Sequence, residues 1–167
     1  MPSTPVRINP DRLWQSLMEL AKVGATGRGG VCRLALSDAD KEARDLFAQS
    51  CREAGCSVDV DAVGNMFAQR AGRNAATPAV LTGSHLDTQP NGGRFDGAYG
   101  VLAGLEVIRA LNDAGVETEA PIEVVAWSNE EGTRFAPSMM GSMAYTGALD
   151  RESVYATGDS QGSKYLA

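Results

Sequence analysis

Between Ala79 and Trp127 the sequence sets two short apolar runs on either side of one long amphipathic stretch, and this alternation restricts the possible folds more than anything else in the chain. Ala79-Val80-Leu81 and the run from Ile122 to Trp127 have the length and β-branched content of buried strands. Over residues 97–114, Val101, Leu102, Leu105, Ile108 and Leu111 recur at helical spacing, and Gly115 supplies the stop. Strand, crossover helix and strand make a βαβ unit, so these two strands lie parallel in one sheet.

The flanking segments add further layers. Asn9 caps a helix with Pro10 at its first position and Leu13, Trp14, Leu17, Leu20 and Ala21 as its apolar stripe, and Gly24 ends it. Residues 24–30 form a glycine-rich loop. Ser37 with Asp40 resembles a capping box, opening a helix whose face is Ala43, Leu46, Phe47, Cys51 and Ala54 and which Gly55 closes. Val58 and Val60 alternate with polar residues, and Gly64-Asn65 turns into Met66-Phe67-Ala68, a hairpin pattern. The expected class is α/β, with a mixed, partly parallel sheet flanked by helices. Past Met139 the patterning weakens. Residues 1–157 are expected to form one folded segment and residues 158–167 a polar, disordered tail.

Composition excludes several classes of function. A net charge of −6 and a pI near 4.8 leave no basic face for nucleic acid or an anionic membrane. No run of 18 apolar residues exists, and Met1 to Pro5 lack the layout of a signal peptide. Cys32, Cys51 and Cys56 are odd in number and show no CxxC spacing, as expected of reduced, mostly buried thiols in a cytoplasmic protein.

In open α/β sheets ligands bind beyond the carboxyl ends of the strands. His85, the only histidine, follows the first strand of the βαβ unit, and Glu130 and Glu131 follow the second. Asp96 precedes the start of the helix near Gly97. An imidazole ligand needs its other nitrogen held by a carbonyl or carboxylate, and Asp87 lies two positions along on the same side of an extended segment. A carboxylate such as Asp96 can bridge two cations. Of two neighbouring glutamates, one can bind metal while the other takes a proton from water whose pKa the metal lowers from about 15.7 toward about 7. Each residue also has a bland reading: a structural histidine, an aspartate cap, a solvated glutamate pair. On the residues alone, their coincidence at adjacent strand ends leaves a metal site and a structural cluster evenly matched. The glycines do not spell GxGxxG, residues 24–30 lack the Gly-Lys-Ser/Thr ending of a phosphate loop, and no GxSxG elbow exists.

Four stretches carry a resemblance: Gly83-Ser84-His85-Leu86-Asp87-Thr88, Gly92-Gly93-Arg94-Phe95-Asp96-Gly97, Gly100-Val101-Leu102-Ala103-Gly104-Leu105-Glu106 and Asn129-Glu130-Glu131-Gly132-Thr133-Arg134-Phe135. They closely resemble the amidase/hydantoinase/carbamoylase family, which holds N-carbamoyl-L-amino-acid hydrolases, allantoate amidohydrolases and β-ureidopropionase-like enzymes within the dinuclear aminoacylase-type metallopeptidase clan. Met140-Gly141-Ser142, Gly29-Gly30-Val31 and the Asn9–Leu20 helix match as well, so the likeness runs over residues 7–149. The 11-residue step from His85 to Asp96 suits this branch rather than the peptidases of the clan.

The resemblance implies the first half of a dinuclear metallohydrolase catalytic domain. It implies that His85 binds one divalent ion, Asp96 bridges two, Glu131 binds the second, Glu130 is the general base and Asp87 orients His85. The ions would be zinc, or manganese, cobalt or nickel. The family reaction hydrolyses a carbamoyl or ureido C–N bond and releases ammonia. The implied substrate is an N-carbamoyl-L-amino acid, with allantoate as runner-up, and the implied partner is that small molecule, with a homodimer for full-length relatives. Those relatives are more than twice as long and supply two further histidine ligands and a smaller second domain downstream. The chain alone is therefore expected to be a fragment with an incomplete site, whose last ten residues do not look like the family continuation. A non-catalytic remnant is the competing expectation.

Overall fold

The computed structural model describes residues 5–165. Helix α1 (Pro10–Leu20) starts where Asn9 Oδ1 accepts the Arg12 N–H at 3.0 Å, with Pro10 at the first helical position. Helix α2 (Asp38–Glu53) starts at Ser37, whose Oγ accepts the Asp40 N–H, while the Asp40 carboxylate reaches back to the Leu36 N–H at 2.9 Å. Strands β1 (Ser57–Val60) and β2 (Met66–Arg70) form the expected hairpin. Strand β3 (Val80–His85), helix α3 (Ala98–Asp113) and strand β4 (Ile122–Trp127) form the expected βαβ unit, and short helices α4 (Met140–Tyr145) and α5 (Arg151–Ala156) follow.

The sheet order is β1-β2-β4-β3, antiparallel except for the parallel β3–β4 pair, in which His85 stands opposite Trp127. Leu17, Phe47, Leu102, Leu105 and Ile108 from α1–α3 close over Met66, Ala68, Val124 and Ala126, one face of the sheet. Each such side chain contributes about 1.5–3 kcal/mol on burial. Glu106, 1% exposed, ties α3 to α1: its Oε1 accepts the Asn9 N–H and Arg12 Nη2, and its Oε2 accepts Arg12 Nε, all at 2.8 Å.

Three expectations need correction. Trp14, assigned to the α1 stripe, is 55% exposed and lies instead against the Phe95 ring, 5.9 Å away. The Ala79-Val80-Leu81 run is not buried: β3 is an edge strand, with Val80 61% exposed, because apolar patterning names a strand without naming what covers it. The polar end is docked. Gly158 bridges Lys164, and Tyr165 packs edge-on to Phe135 in a second core with Ala35, Val63, Met140 and Val154. Its hydroxyl donates to the Val63 carbonyl at 3.0 Å and pairs with Ser128 Oγ at 2.8 Å. One aromatic anchor outweighs the polarity of the residues before it; Leu166 and Ala167 lie outside the described residues.

Among the described residues no helix is long and apolar enough to cross a membrane. The three cysteines are free, Cys51 and Cys56 buried and Cys32 half-buried, and burial pushes the Cys51 thiol up to about 12.

Candidate metal centre

The parallel register brings the carboxyl ends of β3 and β4 to one rim, with His85 at the end of β3 and Ser128 to Glu131 leaving β4. The His85 side chain is 8% exposed, and its Nδ1 lies 2.9 Å from the Asp87 carbonyl. A carbonyl only accepts, so Nδ1 carries a hydrogen and Nε2 faces the rim. Nε2 is 3.3 Å from Glu130 Oε2 and 4.0 Å from Asp96 Oδ1. One ligand atom each from His85, Asp96 and Glu131 lie within 4.8 Å of one another. Zinc-type bonds of about 2.0–2.2 Å hold two ligands on one ion up to about 4.4 Å apart, so a small inward movement closes the group on a cation.

Two observations separate this cluster from a structural one. Asp96 does not cap α3: the N-cap is Gly97, with no side-chain capping bond, and the Asp96 carboxylate stands free toward His85. Glu131 Oε1 is buried without a hydrogen-bond partner, while Oε2 accepts from Gln89 Nε2 at 3.0 Å. An orphaned carboxylate oxygen on a residue grouped with an imidazole and a second carboxylate fits a divalent cation.

Asp87 holds His85, but through its main chain. Its carboxylate is 4.0 Å from His85 Nδ1 and instead accepts the Glu130 and Glu131 N–H groups, each at 3.2 Å. Burial, and after it the charge of Asp40, pushes the Asp87 carboxyl up to about 6, against the pull of those N–H groups and of His85. Gly97 lets the helix start come close: it has φ 64°, and a Cβ there would lie 2.4 Å from the His85 ring.

Several supporting residues were assigned no role from the sequence. Asn65 Oδ1 accepts the Ser128 N–H at 3.0 Å, and its Nδ2 donates to the Gly141 carbonyl at 3.0 Å. A Cβ on Gly141 would stand 2.1 Å from Asn65 Oδ1. Asn129, at φ 50°, donates to the Phe135 carbonyl at 2.8 Å and so shapes the turn that presents Glu130 and Glu131. The signal for Asn65 was its Gly-Asn turn, which reads equally well as a plain hairpin.

A histidine and two acids lie together at one rim of a mixed α/β sheet, the architecture of a hydrolase domain, and similarity to known proteins places it more closely. The model of peptidase family M20/M25/M40 matches residues 81–163. The N-carbamoyl-L-amino-acid amidohydrolase of Rhizobium meliloti is 51% identical over 95% of this chain and 38% of its own length. The ureidoglycolate hydrolase of Oryza sativa is 38% identical over 87% of this chain and 30% of its own. The crystal structure of a hydantoinase/carbamoylase family amidase from Burkholderia ambifaria superposes with a TM-score of 0.96 and 59% identity, covering 97% of this chain and 40% of that one. The chain belongs to the amidase/hydantoinase/carbamoylase family and corresponds to the N-terminal part of its members. It spans 30% to 40% of the length of these relatives. The family match continues to residue 163, so the final turn is family structure, contrary to the expectation that the likeness stops at residue 149.

Proposed function

We propose that this chain carries the first metal ligands and the general base of an amidohydrolase that cleaves linear C–N bonds, with N-carbamoyl-L-amino acids as substrates. The observation that supports it most is the His85–Asp96–Glu131 group at the β3 and β4 ends, in a chain 51% identical to an N-carbamoyl-L-amino-acid amidohydrolase. The rice relative favours a second reading within the same chemistry, a ureidoglycolate-like ureido acid; allantoate belongs to the same substrate class.

In this reading His85, Asp96 and Glu131 would hold the divalent ions, with Asp96 the ligand common to both. Zinc, manganese, cobalt and nickel all suit nitrogen and oxygen ligands. Bound there, such ions polarise a ureido carbonyl and acidify water. Glu130 faces the same rim, with its N–H held by Asp87, and takes a proton from the attacking water and passes it to the departing nitrogen. Asp87 keeps His85 and the glutamate pair in register. Three ligands cannot saturate two ions, so the remaining ligands come from further family sequence or a partner subunit.

The experiment is metal stoichiometry after dialysis against manganese or zinc, with ammonia release from an N-carbamoyl-L-amino acid and from ureidoglycolate assayed on the same sample. At least one ion per chain, lost in His85→Ala, is expected. Two ions with turnover would mean that a second subunit completes the site. No bound ion with either metal would overturn the reading.

A further inference from the structure

Arg33 is fully buried, belongs to the loop between α1 and α2, and plays no part in the roles assigned so far. Such burial is unusual for a guanidinium unless its hydrogens are used. Here they are used in part: Nε donates to the Leu86 carbonyl at 3.0 Å and Nη1 to the Val23 carbonyl at 3.1 Å, while Nη2 is buried without a partner. The main chain of Arg33 grips the same segment: its N–H donates to Thr88 Oγ1 and its carbonyl accepts the Thr88 N–H, both at 2.7 Å. Asp40 and Asp87 supply the opposing charge.

These contacts land on the two peptide units flanking Asp87. The Leu86 carbonyl belongs to the first and is held by Nε. The second contains both the Thr88 N–H, held by Arg33, and the Asp87 carbonyl, which accepts from His85 Nδ1. Rotation of that second unit would turn its carbonyl away from the imidazole, freeing the ring to turn and to exchange which nitrogen carries hydrogen. We propose that Arg33 is a positioning residue for His85, clamping the peptides on both sides of Asp87 so that the imidazole keeps its hydrogen on Nδ1 and offers Nε2 at the rim. The consequence for metal affinity rests on the metal-site reading above; the effect on the ring does not.

Because the chain has one histidine, both imidazole nitrogens can be read directly by long-range proton–nitrogen NMR. Arg33→Met keeps the length of the side chain as far as Nε and removes the donor. Arg33→Gln places an amide nitrogen at the chain position of Nε, restoring a donor to Leu86 without the charge. With chelator present, at a pH where the ring is neutral, the unsubstituted chain should show chiefly the Nδ1–H form. Arg33→Met removes the Nε hold on the first unit and leaves the main-chain hold on the second, so it should raise the share of the Nε2–H form, and Arg33→Gln should return most of it to Nδ1–H. Zinc affinity, measured by competition with a chromophoric chelator, should fall about 10- to 100-fold in Arg33→Met and recover in Arg33→Gln.

A lower melting temperature in Arg33→Met with unchanged ring populations and zinc affinity would reduce Arg33 to a packing residue and overturn the proposal. If Arg33→Met does not fold, Thr88→Val decides. It removes the acceptor of the Arg33 N–H and should shift the ring the same way, and an unchanged ring would again overturn the proposal. A ring that responds in a chain that binds no zinc would sink the metal reading and leave the positioning role standing.

Discussion

Acid–base partners meet at two places on α3, and they differ in one respect. At Glu106 the side chain lies within 2.8 Å of both its Arg12 nitrogens and of the Asn9 N–H, and neither carboxylate oxygen lacks a donor. At the N-terminal end, His85 Nε2 stops 3.3 Å from Glu130 and 4.0 Å from Asp96, and Glu131 keeps an orphaned buried oxygen. The first is a closed ion pair that joins two helices. The second holds a histidine and carboxylates slightly apart, an arrangement with room for the cation proposed above. Distance and satisfaction, more than residue type, separate a structural ion pair from a site.

Breaking the clamp gives the largest expected effect. Arg12→Met leaves Glu106 buried without its cation, a change of about 3–5 kcal/mol in stability. Urea unfolding should show that loss while zinc affinity of the folded protein stays as it was; a loss under about 1 kcal/mol would mean that the clamp is no stronger than a surface pair.

At the rim the corresponding stress is electrostatic and depends on pH. The folded Asp87 carboxyl titrates at about 6, above its ordinary value of 3.8, because burial disfavours its charge. Between those values the folded chain holds a proton that the unfolded chain has released. The associated stability is therefore present below about pH 4 and lost as pH rises through 6, about 2–3 kcal/mol for this shift. Asp40, raised in the same direction, adds to the slope. Unfolding of metal-free chain at pH 4 and pH 7 should show the fall, and Asp87→Asn should flatten it, though one Glu N–H then faces an amide that cannot accept it. An equal slope in that variant would assign the whole effect to other groups.

Gly97→Ala is the next step down. Its Cβ would lie 2.4 Å from the His85 ring at a positive φ, so the ring or the helix start must move. About 1–3 kcal/mol of stability should go, together with most of the zinc affinity. Affinity equal to that of the parent chain would show that the ring has room the geometry denies it.

How much of this could be read beforehand follows from range and period. Helices α1–α3 and the βαβ unit were legible because their apolar spacing repeats over many residues, His85, Glu130 and Glu131 because they sit within a few positions of strand ends, and Asp96 because it precedes a helix start. Helices α4 and α5 are six residues each, too short for a period to declare itself. Tyr165 reaches Val63 across 102 positions, and the Arg33 N–H reaches Thr88 across 55, contacts that no local pattern encodes. For Asp87 the residue was legible but not which of its atoms holds His85, since spacing gives proximity and leaves carbonyl and carboxylate undistinguished.

The smallest expected effect on folding tests the comparison most sharply. Asp96 is 62% exposed, makes no capping bond and stands 4.0 Å from its nearest cationic candidate, so without metal it has almost nothing to hold. Asp96→Ala should leave the stability of the metal-free chain within about 0.5 kcal/mol, as for an ordinary surface substitution. If Asp96 bridges two ions, its loss should release both together rather than one. Arg12→Met and Asp96→Ala then form opposite halves of one experiment: the first lowers the melting temperature and spares metal binding, the second spares the melt and removes the metal. A tightly bound ion surviving in Asp96→Ala would dismiss the bridge and reduce the site to a His85–Glu131 pair. A large loss of stability would instead show that the open cluster serves the fold after all, as the Arg12–Glu106 clamp does.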